Sequence, residues 1–274
     1  MDSSKVKNII IILLLLVNLL LLGVGVSDRV REMAVWRDSL RRTEQVLSEN
    51  GIAVSKDARL RDESLHVKTV SRSLTQEEKN VSAVLGRVTV VDQGGNRMFY
   101  DGEKGQAVFR GTGGFEMLMN EGEVPVGRDA ENTAREFLEK MGIRTAEGRS
   151  ANDVEDGSGT VVLMCESGGT KVLNCTVTFT FTNGSLLLAV GTRPLETAAS
   201  GDASSVDVPT ALMRFMASAS EKGRVCNEVQ GMEMCCVQTA SASGTGELTP
   251  VWRIDTDAGS FYINAMTGRE ESVT

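Results

Sequence analysis

The pattern of apolar positions along this chain is continuous at one end and periodic everywhere else. From Ile9 to Val26, eighteen residues run as Ile, Leu and Val with only Asn18, Gly23 and Gly25 among them. At about 1.5 Å per residue such a helix is about 27 Å long, close to the roughly 30 Å of a hydrocarbon core. The run predicts an N-terminal transmembrane helix. A cleavable signal peptide has a shorter apolar core of about 7 to 15 residues and a small-residue exit site, and Gly23-Val24-Gly25 is a poor one. The segment therefore reads as an uncleaved signal anchor, making the chain single-pass.

Beyond it the apolar positions become periodic. Asp28 to Asn50 sets Val30, Ala34, Leu40 and Leu47 among charges and meets Gly51 where a helix C-cap belongs. This predicts a polar stalk helix. Ile52 to Ser73 reads as irregular, with a short strand at Leu65 to Val70. Thr75-Gln76-Glu77-Glu78 reads as a capping box opening a helix from Gln76 to Leu85, stopped by Gly86. Val88–Val91, Met98–Tyr100, Ala107–Phe109 and Phe115–Met119 alternate between Gly-rich turns and predict an antiparallel meander. Helical spacing returns at Ala130, Ala134, Phe137, Leu138 and Met141. A Gly- and Asp-rich loop is expected at 147–159, then strands at Thr160–Glu166, Lys171–Thr182 and Leu186–Val190. Asn183-Gly184 supplies the hairpin turn between the last two.

A Ser- and Ala-rich linker at 197–205 leads to a helix with Val208, Ala211, Leu212, Phe215, Met216 and Ala219 on one stripe. Strands follow at Val229–Thr239, Pro250–Asp255 and Phe261–Ala265. A helix followed by an antiparallel hairpin sheet, occurring more than once, predicts an α+β fold with an internal repeat. The expected organisation is a short cytoplasmic tail and anchor at 1–27, a stalk helix and first α+β unit at 28–120, a second helix-plus-sheet unit at 121–200 and a third at 201–274.

Composition narrows the function classes. Aromatic residues are only 4% of the chain, so a core of Val, Leu, Met and Ala is expected and aromatic-lined ligand sites are not. The net charge of −8, with no basic patch, argues against nucleic acid as partner. His66 is the single histidine, so a Ser-His-Asp triad, a Cys-His pair or a histidine metal cluster would all depend on this one residue in a charged segment, and no such role is expected of it. Gly94-Gly95 and Gly111-Thr112-Gly113-Gly114 neither precede a helix nor end in a Lys-Ser/Thr pair, so they read as hairpin turns rather than phosphate loops. Acidic pairs such as Glu77-Glu78 and Asp255/Asp257 read as caps and solvated strand edges. The five cysteines, at 165, 175, 226, 235 and 236, lack zinc-site spacing. Cys165 and Cys175 read as small buried hydrophobes, with a bridge between them as the alternative in an oxidising compartment. No cofactor, metal or enzymatic activity is expected.

One polar group has a mechanism attached. An amide in mid-bilayer gains about 0.6 to 2 kcal/mol by hydrogen bonding to another helix, and glycines allow close approach. Asn18, Gly23 and Gly25 are thus the candidate contact with a partner helix. Lys5 and Lys7 precede the apolar run, whereas Arg29, Arg31, Arg37, Arg41 and Arg42 follow it, a balance that by itself favours a cytoplasmic folded part.

Met1-Asp2, Ser4, Lys7-Asn8, the apolar run with Asn18, and Val46-Leu47-Ser48-Glu49-Asn50-Gly51-Ile52 together resemble the start of YycI-type regulators of Gram-positive bacteria. Pro250-Val251-Trp252-Arg253-Ile254 and Phe261-Tyr262-Ile263-Asn264-Ala265-Met266-Thr267-Gly268 resemble that family's last hairpin and PepSY-like repeats. The resemblance implies a membrane-anchored, extracytoplasmic, non-enzymatic protein that works with a YycH-type partner to restrain the WalK sensor histidine kinase of the cell-wall two-component system. The implied mechanism is helix packing that favours one kinase state, where 1 to 3 kcal/mol of coupling changes activity about 5- to 150-fold. The alternative is a tethered PepSY-like inhibitor or binding module acting on a peptidase or wall component.

Overall fold

The computed structural model describes residues 13, 14, 18, 31, 33–61 and 63–273. The chain divides into two units, Met1–Val54 and Ser55–Thr274. In the first unit, helix α1 covers residues 33–49 and ends on Asn50 and Gly51. Gly51 takes φ +82°, and the N–H groups of Gly51 and Ile52 return to the carbonyls of Ser48 and Leu47. These bonds satisfy carbonyls that the helix leaves unpaired. A two-residue strand, β1 (Ala53–Val54), closes the unit.

The single-pass anchor, and the cell-membrane localisation with an outward-facing domain drawn from it, are corrected. Among the described residues no helix is long and apolar enough to cross a membrane. The reason is length and charge. α1 carries Arg37, Asp38, Arg41, Arg42, Glu44 and Glu49. The helices of the second unit have 12, 11 and 14 residues, roughly 16 to 21 Å against the roughly 30 Å required. Of Ile9–Val26, only Leu13, Leu14 and Asn18 are among the described residues, each helical and exposed.

The second unit opens with β2 (His66–Ser71), α2 (Leu74–Leu85) and a four-strand meander, β3 (Val88–Asp92), β4 (Arg97–Gly102), β5 (Gly105–Arg110) and β6 (Gly114–Met119). Then come α3 (Ala130–Lys140), β7 (Arg144–Glu155), β8 (Ser158–Ser167), β9 (Thr170–Thr182), β10 (Ser185–Thr192) and β11 (Glu196–Ser204). The chain finishes with α4 (Val208–Glu221), β12 (Glu228–Ala240), β13 (Thr245–Thr256) and β14 (Gly259–Asn264). Side-chain caps start all three helices: Ser73 accepts from the Gln76 N–H, Asp129 from that of Asn132 and Asp207 from that of Thr210. The cap of α2 is therefore Ser73, and Thr75 sits inside the helix.

The expected series of PepSY-like helix-plus-antiparallel-sheet units is also corrected. The strands form one continuous mixed sheet in the order β11-β2-β13-β12-β9-β10-β6-β5-β4-β3, with β14 beside β13 and β7 beside β8. Its seam is β9. Val172 makes a parallel bridge to Cys236 of β12, while Val177–Thr182 pair antiparallel with β10. Two segments read as loop and linker, 147–159 and 197–205, largely belong to strands: β7 pairs with β8, and β11 with β2. The physical cause is edge satisfaction. A hairpin unit standing alone leaves a row of unpaired N–H and C=O groups, and neighbouring edges satisfy one another by joining.

Side-chain amides complete the seam where backbone pairing is sparse. Asn174 Nδ2 donates to the Gln238 carbonyl at 2.7 Å, and the Gln238 N–H donates to Asn174 Oδ1 at 2.9 Å. The Gln238 side chain in turn accepts from the Leu195 N–H at 2.8 Å and donates to the Arg193 carbonyl at 3.2 Å. The two amides thus act as short pieces of strand.

The helices α2 and α3 cover one face of the β7-to-β3 half. Val81, Val84, Leu85, Ala134, Phe137 and Leu138 meet Tyr100, Phe109, Met117, Val177, Phe179 and Phe181 in a single core. Phe137 lies edge-on to Phe179 at 6.0 Å between ring centres. On the β11-to-β12 half, α4 lies against β14, with Phe215 edge-on to Phe261 at 4.7 Å. Beneath α2 sits a buried ionic cluster. Glu77 accepts from Arg72 Nε at 2.8 Å, from Tyr100 Oη at 2.8 Å and from Arg193 Nη2, with the Glu77 and Arg72 side chains only 1% and 2% exposed.

Candidate functional site

Of the candidate partner-helix contact, only Asn18 falls among the described residues. Asn18 is an exposed helical position, and Gly23 and Gly25 lie outside the described residues. His66 stands on β2 and is exposed. All five cysteines are buried, and none is in a disulfide. Burial pushes the Cys165 thiol up to about 12 and the Cys236 thiol up to about 11, and Cys175 is raised in the same way. Such thiols are poor nucleophiles near neutral pH. Asp257 is a turn cap: it accepts from the N–H groups of Asn227 and Glu228 and from Asn227 Nδ2, which holds its carboxyl down at about 2. Among the described residues no group of three or more His, Cys, Asp or Glu is placed to hold a metal ion.

What the fold does build is a charged cleft of about 500 Å³. Its floor comes from the strands around the seam. The register β12–β13–β14 aligns Glu233 with Arg253 and Arg253 with Tyr262. Strand alternation places these side chains on the opposite face from Met232, Ile254 and Phe261. Arg253 Nη1 donates to Glu233 at 2.8 Å and its Nη2 donates to Asp255 at 2.5 Å. Lys171 of β9 reaches the other Glu233 oxygen at 2.6 Å, and Ser260 Oγ donates to Asp255. The walls are lined by Asp57, Arg59, Arg61 and Glu63 and by Glu147 of β7.

Two features keep the cleft open. The β12 register shifts between Val229 and Gly231, and beyond its two chain neighbours no atom lies within 4 Å of where a Gly231 Cβ would stand. A larger side chain there would project into unfilled space. The second feature is electrostatic. Arg253 is 2% exposed, whereas Glu233 and Asp255 keep about a third of their side-chain surface, at 34% and 35%. The buried cation therefore holds two carboxylates at the surface of the cleft floor. Its Nε has no hydrogen-bond partner among the described residues. A buried donor left in this state costs about 1 to 3 kcal/mol.

Sequence reasoning treated Asp255 as a solvated strand edge and passed over Arg253 and Glu233. The available signal was Arg253 itself, a cation between Trp252 and Ile254 in an apolar strand, a position that needs buried acceptors.

No protein-family model and no curated protein matches the chain. Among solved structures it is similar to an uncharacterized protein from Eubacterium rectale ATCC 33656, at 11% sequence identity and a TM-score of 0.46, over 82% of this chain and 92% of that one.

Proposed function

We propose that this chain is a non-enzymatic binding module that grips a segment of a partner protein in the charged cleft. The supporting observation is the cleft floor, where a buried guanidinium holds Glu233 and Asp255 toward an open space of about 500 Å³ and keeps one donor unused. That volume suits a few residues of polypeptide. The surrounding groups offer ion pairing and hydrogen bonding rather than a nucleophile beside a base. The partners implied by the sequence resemblance, a sensor histidine kinase and a YycH-type protein, are the first to test.

The test is charge reversal at the walls, which leaves the core untouched. Glu63→Lys with Glu147→Lys, measured by biolayer interferometry against each purified partner, is expected to change binding at least about tenfold, since each reversal inverts a charge that lines the cleft. Equal affinity for the reversed and original chains would remove the cleft from the binding surface. Absence of binding to both proteins would remove those two as partners.

A further inference from the structure

We infer that the segment held in this cleft is basic, an extended stretch of chain that presents lysine or arginine side chains to the carboxylates of the walls and floor. The inference rests on the protein-binding reading above and adds the sign of the ligand. Five carboxylates line the cleft (Asp57, Glu63, Glu147, Glu233 and Asp255) against four cations, of which Arg253 is 2% exposed. With that guanidinium buried, a ligand meets the five carboxylates against three accessible cations, Arg59, Arg61 and Lys171. The whole chain carries a net charge of −8, so the long-range field favours a cationic partner too.

The unused Nε of Arg253 gives the site a response. At present the guanidinium is split, with one Nη on Glu233 and the other on Asp255. Arginine pairs best side-on, with two parallel N–H groups on one carboxylate. A cation arriving at Asp255 competes for that carboxylate and releases one arm of the guanidinium. The released arginine can then turn side-on to Glu233 and employ its Nε. Ligand binding and satisfaction of the buried donor are thereby one event. An acidic segment would do the reverse, adding a third carboxylate beside a cation already shared by two.

The probes are two nine-residue fluorescent peptides on one serine-threonine-valine scaffold, the first with lysine and the second with glutamate at alternate positions. Anisotropy titration of the full chain is expected to show the lysine peptide binding at least about tenfold more tightly, with an affinity that falls as salt rises. Glu147→Lys is expected to weaken it at least about threefold. In the chain labelled with ¹⁵N-arginine, the Arg253 Nε–H resonance is expected to move downfield on titration. Equal affinity for the two peptides, tighter binding of the glutamate peptide, or no binding of either overturns the inference. Lysine-peptide binding that leaves the Arg253 resonance in place and survives Glu147→Lys also overturns it, because the peptide then sits elsewhere. The protein-binding reading is judged separately, by the wall reversals against whole partner proteins.

Discussion

Glu77 and Glu78 are neighbours in sequence with opposite physical situations, so replacing each with Gln isolates what burial does to a carboxylate. Glu77 is shared by Arg72, Arg193 and Tyr100, with the two arginine side chains 2% and 11% exposed. The cluster is one cation in excess. The surplus is met by the carbonyls of Asn96 and Phe109 and by the Phe109 ring, 5.5 Å from the Arg193 guanidinium carbon. Glu77→Gln keeps the volume but leaves two buried guanidinium groups without a counter-ion. Breaking a buried pair by removing one partner costs about 3 to 5 kcal/mol. For a domain of this size that lowers the melting temperature by roughly 6 to 20 °C. Glu78 is exposed, so Glu78→Gln is expected to stay within about 0.5 kcal/mol. Urea unfolding of both variants, followed by circular dichroism, decides the matter. A Glu77→Gln loss below about 1 kcal/mol, or equal losses for the two variants, refutes the view that this cluster holds α2 to the sheet.

Three further outcomes follow from the same structure. Burial pushes Glu270 up, but hydrogen bonds from Ser218 and Lys222 and the charges of Lys222 and Arg224 outweigh it and bring it below its ordinary 4.5. Its contribution to stability is therefore complete above pH 4.5 and lost as the pH falls through the lowered folded value, so Glu270→Gln should flatten the stability curve in that acid range alone. All five thiols should react slowly with Ellman's reagent at pH 8 in the folded chain and at once in denaturant; rapid labelling of Cys165 in the native state would contradict its burial. Phe179→Ala, on the helix-covered face of β9, should cost about 3 to 5 kcal/mol, whereas Val190→Thr on β10, 38% exposed on the other face, should change stability by less than about 0.5 kcal/mol. Similar losses for these two variants would mean that the sheet faces have been assigned the wrong way round.

Local chemistry was legible in the sequence wherever one segment determined it. The stripe Ala130, Ala134, Phe137, Leu138 and Met141 is buried as its spacing requires, and Asn183-Gly184 turns the β9–β10 hairpin with φ +52° and +74°. The meander β3 to β6 follows its alternation closely. Strands β7 and β11 were not legible, because Gly, Ser, Asp and Ala carry little β-propensity and only pairing with a neighbour makes them extended. Glu77 was misread for a related reason. Its place near a helix start explains a capping role, and nothing within four residues of it announces Arg193 or Tyr100.

The same limit accounts for the cleft. Its floor needs Lys171 from β9, Glu233 from β12, and Arg253 and Asp255 from β13, which meet only because β9 pairs with β12 as well as with β10. Units that ended at their own edges, as the repeat pattern suggests, would leave Lys171 facing solvent and Glu233 with one cation instead of two. The amides of Asn174 and Gln238 that complete the seam therefore govern the site at one remove. Gln238 is buried, and each of its four amide contacts is to a backbone group or to Asn174. Gln238→Leu removes the side-chain half of that set and leaves the Leu195 N–H and Arg193 carbonyl without their partner, a loss of about 1 to 3 kcal/mol. If the seam positions the floor, the same variant should also weaken binding at the cleft while leaving every charged wall residue in place. Lost stability with unchanged affinity would instead mean that the backbone bridge from Val172 to Cys236 and the Asn174 bonds to the Gln238 backbone hold the register without the Gln238 side chain.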